Sequence, residues 1–273
     1  MKPIPKKVAS RLIPAIKKFR TVLEDARARD INESDTVLIV TDMLSDVFGY
    51  DKYSEITSEY AIRGTYCDLA TRINGSLQYL IEVKSIGSEL KDNFIKQAVD
   101  YAANEGIDWV ILTNGIHWVV FKVTFGKPID KERVIEFNFL ELNYKRKQDL
   151  EVLFSLSKEG CTKSILDEFH SRKQVISKYF ISSLILSEPV IKLLRRELRK
   201  IAPDVRIEEE QIKAVVGQDI IKREIVESEK TLDASRKINR GLKKQSRNKK
   251  DDFTNVSNNA LKQQVVNTKQ VDE

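Results

Sequence analysis

The chain has 273 residues, 41% of them hydrophobic, which is enough for one ample domain with extensions. Its two cysteines, Cys67 and Cys161, form no C-x-x-C pair and its two histidines cannot build a zinc cluster, so zinc chemistry and a disulfide framework are set aside and a reduced, cytoplasmic protein is expected. There is no apolar run of about 18 residues, and no apolar segment followed by a small-residue cleavage site, so neither a membrane span nor a secretion signal is expected.

The formal net charge of +6 points to a polyanionic partner, but the charge is localised. The run Arg236 to Lys250 holds 8 of the 47 Lys and Arg and no acid; the 39 that remain fall short of the 41 acids. With the Asn/Gln-rich stretch that follows, residues 231–273 read as a disordered basic and polar tail with a minor role in non-specific DNA attraction.

In chain order, residues 1–31 form a basic helical segment. The next segment repeats apolar residues at helical spacing, with Val40, Met43, Leu44 and Val47 on one stripe, Asn32 or Ser34 as cap and an end near Gly49. Strands follow from about Ser54 through the hairpin "CDLATRINGSLQYLIEVKS". A second helix, from Glu89 to a stop at Gly106, puts Phe94, Gln97, Ala98 and Tyr101 on one face. Two β-rich segments joined by Asn114-Gly115 and a further strand near Val134 complete a mixed sheet flanked by helices, an α/β fold. Beyond Asn143, residues 144–230 read as an appended helical region broken at Pro189 and Pro203. Its apolar positions, among them Ile176, Phe180, Leu184 and Leu194, are expected to pack on the sheet domain or on a partner.

The hairpin carries Asp68, Glu82 and Lys84 inside apolar runs. Glu82 and Lys84 share one face of their strand because side chains alternate. A two-residue turn at Asn74-Gly75 would set Asp68 opposite Ile81, on the wrong face. A three-residue loop, Ile73-Asn74-Gly75 with a G1 bulge, pairs Arg72 with Ser76 and brings Asp68 diagonal to Glu82, and this is the expected turn. Two converging carboxylates favour a hard cation such as Mg²⁺, with Mn²⁺ as the alternative, and a lysine two residues on can place a water or offset the charge of a scissile phosphate. The bland alternative is a set of exposed edge charges, and E-x-K alone says little, since Glu89-Leu90-Lys91 repeats it where a solvated helix start is expected.

Residues 32–123 resemble the N-terminal nuclease domain of type I restriction enzyme R subunits, a branch of the PD-(D/E)xK nucleases. The matching pieces are "NESDT", "YCDLA", "IEVKS", "QAVDYA" as a Q-x-x-x-Y motif, and "TNGIHWVVF". The resemblance implies a restriction-endonuclease-like domain over 32–143. It also implies Asp68, Glu82 and Val83 as metal ligands, Lys84 as the catalytic lysine, Glu33 as a first-helix carboxylate near the metal, and Gln97 and Tyr101 bordering the site. Asn32 stands where the family motif has threonine, a capping position that leaves the acid in place. No phosphate-binding loop is present and the chain is too short for a translocase motor, so a complete R subunit is not expected.

Two functions from different classes follow. One is a Mg²⁺-dependent DNA endonuclease in restriction or phage defence. The other is a non-cleaving DNA-binding or adaptor module on a nuclease scaffold. DNA is the expected partner, with a separate protein on the helical region and self-association left open. His117 is expected to be a packed or edge histidine, Cys67 a core residue, His170 to be exposed, and Trp109 and Trp118 to fill the core.

Overall fold

A computed structural model describes residues 3–62, 65–126 and 128–242; the tail beyond Leu242 lies outside them. The chain divides into two compact units, 1–170 and 171–273.

The first unit holds a six-stranded sheet in sequential order: β1 (Ile56–Ile62), β2 (Thr65–Ile73), β3 (Ser76–Val83), β4 (Trp109–Thr113), β5 (His117–Thr124) and β6 (Asp130–Asn138). All neighbours are antiparallel except β3 and β4. Parallel neighbours need a crossover, which here runs through a 3₁₀ turn at Asp92–Ile95 and α3 (Lys96–Glu105). Gly106 ends α3 with φ +71°, the left-handed stop that a residue without Cβ adopts freely.

One face of the sheet is covered by α3. Ala98, Val99 and Ala102 pack there on Leu80, Val110 and Leu112. The other face is covered by α1 (Lys6–Ala28) and α2 (Glu33–Asp46), with Leu12, Ile16, Leu23, Val40 and Met43 set against Leu69, Ile81 and Ile111. The Asn32 carboxamide caps α2 by accepting from the Asp35 amide at 2.9 Å, and all four residues of the expected stripe are buried. Trp118 and Trp109 are core, as their sequence positions suggest.

The sequence-based boundaries need correction at both ends of this unit. The helix over 1–31 is part of the core, and so are α4 (Lys147–Leu156), α5 (Lys158–Thr162) and the start of α6 (Ile165–Val175), through Leu153, Phe154, Leu156, Ile165 and Leu166. A two-pronged ion pair at 2.7 Å, from Arg11 to Glu159, ties α1 to α5. His170 is not exposed: it stands edge-on to Trp109 and its Nε2 lies 3.0 Å from Glu132. His117 is exposed at the start of β5, an interior strand, and Cys67 is buried.

The second unit comprises the rest of α6, then α7 (Lys178–Ile185), α8 (Glu188–Ile201), α9 (Glu209–Val215), α10 (Arg223–Val226) and a last helix, α11, over 229–242. Pro189 lies in the first turn of α8 and Pro203 follows its end. The core here is Ile191, Ile212, Val216 and Ile221, which Leu194 joins, while Ile176 and Leu184 are exposed. Residues 231–242, expected in a disordered tail, are instead helical, because Thr231, Ala234 and Ile238 recur at helical spacing and are buried. Among the described residues no helix is long and apolar enough to cross a membrane.

Candidate active site

The hairpin solves its parity problem differently from the three-residue loop expected. Ile73 pairs with Ser76 around a two-residue Asn74-Gly75 turn, with φ +50° and +79°, the mirror-image turn that Asn-Gly favours. Taken alone, that turn would put Asp68 and Glu82 on opposite faces. One pair further on, the register shifts: Arg72 pairs with Leu77 but Thr71 pairs with Tyr79, so Gln78 is the extra residue of a bulge. Beyond it Leu69 pairs with Ile81, and the next position sets Asp68 against Glu82 on the face that α3 covers.

The ladder between β2 and β3 ends at Leu69 and Ile81. There the Asp68 carboxylate accepts a hydrogen bond from the Val83 amide at 2.7 Å. The N–H and C=O of one strand residue point to the same edge, so the Val83 carbonyl is turned toward Asp68 as well. On the other side of β3 the Lys84 amide donates to the Thr113 carbonyl at 2.8 Å, which fixes the strand on β4 just where Glu82 and Lys84 emerge.

Lys84 sits between two acids. Its Nζ lies 2.9 Å from Glu82 and 3.3 Å from Glu33, the first residue of α2. The Phe94 ring is 5.8 Å from the ammonium. The Lys84 and Glu82 side chains are 17% and 18% exposed, so their attraction acts largely out of water, whereas Glu33 is half exposed.

Burial and like charges push both hairpin carboxyls up. For Asp68 burial dominates, opposed by the Val83 amide and the Lys84 charge, with Glu33 adding to the rise. For Glu82 burial again leads, opposed by the Lys84 hydrogen bond, with repulsion from Asp68 and Glu33. Burial alone would lower Lys84, but its bond to Glu82 and the surrounding acids outweigh that and raise it. Acids whose charged form is disfavoured by burial and by neighbouring negative charge mark a place that favours a cation. Among the described residues no three His, Cys, Asp or Glu side chains form a ready ligand group. The oxygen donors at hand are two carboxylates, each engaged at one oxygen by Val83 or Lys84, and the Val83 carbonyl, a set that suits a hard ion completing its shell with water.

Gln97 and Tyr101 lie on α3, over the same face of the sheet. Gln97 is exposed, and the Tyr101 hydroxyl is 3.3 Å from that of Tyr60 on β1. Glu89 and Lys91 of the second E-x-K are exposed as expected, but in a loop rather than at a helix start, since α3 begins at Lys96.

Asn114, a turn signal in the sequence, does more. Its buried carboxamide accepts from the amides of Ile116 and His117 at 3.1 and 2.7 Å and donates to the carbonyls of Ile86 and Ser88 at 3.2 and 2.9 Å. It therefore clamps the segment that leaves Lys84. Nothing in the sequence signals this beyond the dipeptide itself. Comparison of the chain with protein-family models, with curated proteins and with solved structures finds no match.

Proposed function

We propose that the chain is a metal-dependent endonuclease that hydrolyses phosphodiester bonds in DNA, of the kind its hairpin resembles, acting in restriction or phage defence. The supporting observation is the Gln78 bulge. It brings Asp68 into line with Glu82 on the face where Lys84 emerges, at half-buried positions where unneutralised acids are costly. Solvated edge charges would need no such correction.

Asp68, Glu82 and the Val83 carbonyl would hold Mg²⁺ or Mn²⁺. Bound there, the ion supplies Lewis-acid polarisation of a phosphoryl oxygen and an acidified water. The chain's own residues do the rest. Lys84 presents a positive charge beside Glu82, where it steadies a water or offsets charge on the phosphate. Glu33 pulls the ammonium from the other side and so limits its directions. The Val83 amide fixes the Asp68 carboxylate, and the Lys84 amide bond to Thr113 keeps strand and side chain from drifting. Gln97 and Tyr101 border the face from α3 and are assigned to substrate contact.

The test is incubation of the purified chain with supercoiled, linear and single-stranded DNA and with RNA, in Mg²⁺, Mn²⁺ or chelator. Metal-dependent cutting by the wild type that Glu82→Ala abolishes supports the reading. A wild type that binds DNA yet nicks no nucleic acid in either metal returns the chain to the adaptor class.

A further inference from the structure

A second charged feature of the first unit takes no part in the site above. A cleft of about 350 Å³ opens where α1 passes the segment joining β6 to α4, lined among others by Arg20, Glu141, Tyr144, Lys145 and Arg146. Lys17 lies over the Tyr144 ring, 5.0 Å from its centre. The one acid among the lining residues, Glu141, is engaged by Asn138, whose Nδ2 donates to it at 2.9 Å, and the nearby Asp149 of α4 is engaged by the amide of Asn143, another lining residue, at 2.7 Å. Among the described residues the side chains of Lys145 and Arg146 form neither an ion pair nor a hydrogen bond. Arg20 donates through Nη2 to the Leu142 carbonyl at 2.6 Å, while its Nε is buried without a partner. Arg146 is also the cap residue of the ten-residue α4, whose first turn has no side-chain cap. Clustered cations, a partnerless guanidinium donor and uncapped amides leave this cleft short of an anion.

Its position relates it to the acids. Val83 pairs with Thr113, Thr113 with Trp118, and His117 with Asn138, so Val83 and Asn138 stand on one rim of the sheet. Three strand spacings of about 4.8 Å set the Val83 and Asn138 backbones roughly 14 Å apart. The acids emerge on the face that α3 covers and the cleft lies past Asn138 beside α1, so the span between them is at least about four steps along a nucleic-acid duplex at ~3.4 Å each.

We propose that this cleft is a phosphate-binding subsite that grips the nucleic-acid backbone about four to six nucleotides from the bond cut at Asp68, Glu82 and Lys84. The position of the cut rests on the nuclease reading; the affinity for phosphate does not.

The experiment measures binding of the full chain to a fluorescent duplex in chelator across a salt series, for wild type, for Lys145→Gln/Arg146→Gln and for a control, Lys6→Gln/Lys7→Gln, on exposed turns of α1. Each phosphate contact contributes about 0.9 to the slope of log affinity against log salt. The cleft variant should lose roughly 1 to 2 units of slope and about tenfold or more in affinity at low salt, with its melting temperature unchanged and the control like wild type. Where the wild type cuts, ethylation of phosphates four to six positions from the cut should interfere with wild-type binding and not with that of the variant. An unchanged slope, or an equal loss in the control, overturns the proposal. Calorimetry with inorganic pyrophosphate separates the sources of phosphate: loss of pyrophosphate binding with DNA binding intact makes the cleft a small-anion site and also overturns it. If the wild type binds duplex without cutting and the variant still loses slope, the nuclease reading fails and the phosphate subsite stands. A wild type that does not bind DNA at all sinks both.

Discussion

The Asp68 carboxylate receives the Val83 amide at 2.7 Å, so a side chain of β2 does what the Cys67 carbonyl would do had the ladder run two positions further. The strands part at the point where the two acids meet, and the amide left by that parting is satisfied by one of the acids. Asp68 is therefore both a proposed ligand and a structural acceptor, and its two roles can be separated by substitution.

Asp68→Ala removes the charge and the acceptor together. Leaving a buried amide unsatisfied costs about 1–3 kcal/mol, offset in part by relief of repulsion with Glu82 and Glu33. Asp68→Asn keeps an oxygen for Val83 and should stay within about 1 kcal/mol of wild type. Both should drop cleavage to background and leave DNA binding intact. Urea melts beside nicking assays decide it; an active Asp68→Asn enzyme would remove Asp68 from the metal site.

The pH dependence of stability follows from the same two acids. Their folded pKa values lie above the ordinary 3.8 and 4.5, so the folded chain holds protons that the unfolded chain has released. Their contribution is fully present below the unfolded values and lost as pH rises through the folded ones. In chelator, stability should fall from about pH 4 upward, and Asp68→Asn/Glu82→Gln should remove that component. Lys84, also raised, contributes in the same direction only near and above its ordinary 10.5, outside this window. Mg²⁺ competes with the protons, so the melting temperature it adds should grow with pH. A Mg²⁺ shift independent of pH would count against binding at these carboxyls.

The sequence carried the acid, the lysine and the strand alternation, because a period of two is set by the backbone. It did not carry the bulge. Gln78 is extra only because Tyr79, Ile81 and Val83 must pair with β4 while Leu69 keeps its place in the core, a condition imposed by the assembled sheet. The domain limit near Asn143 failed for a related reason. Leu153, Phe154 and Ile165 announce faces to be buried but not what they bury against, and it is the sheet unit. In the expected tail Thr231, Ala234 and Ile238 carry a helical spacing, but the basic and polar residues around them give the segment the composition of a disordered chain.

Asn114 offers a test of how far the lysine depends on the loop that follows it. Asn114→Ala strips four hydrogen bonds from buried or half-buried backbone groups, for an expected loss of about 2–4 kcal/mol. Asn114→Asp keeps the two acceptor bonds but turns a carboxylate on the Ile86 and Ser88 carbonyls, and should destabilise about as much. Denaturant midpoints check both. A Ser88→Ala change, which removes only the hydroxyl contact with Ser85, should be milder than either.

Lys84 and Glu33 test the division of labour around the ammonium. Glu33 is half exposed and its contact with Lys84 is 3.3 Å, so Glu33→Gln should move stability by no more than about 0.5 kcal/mol while lowering cleavage through looser placement of the lysine. Lys84→Met should abolish cleavage. It also removes the charge that holds down the pKa of Asp68 and Glu82, so both acids rise further and protons compete harder for the site. Metal affinity should then fall below wild type at acid pH, with the deficit shrinking as pH rises. Calorimetric titration with Mg²⁺ or Mn²⁺ at one acid and one alkaline pH measures this directly. A Lys84→Met protein that still cuts DNA, or one whose metal affinity falls equally at both pH values, would show that the lysine does not stand beside the metal-binding acids in the way its 2.9 Å contact with Glu82 implies.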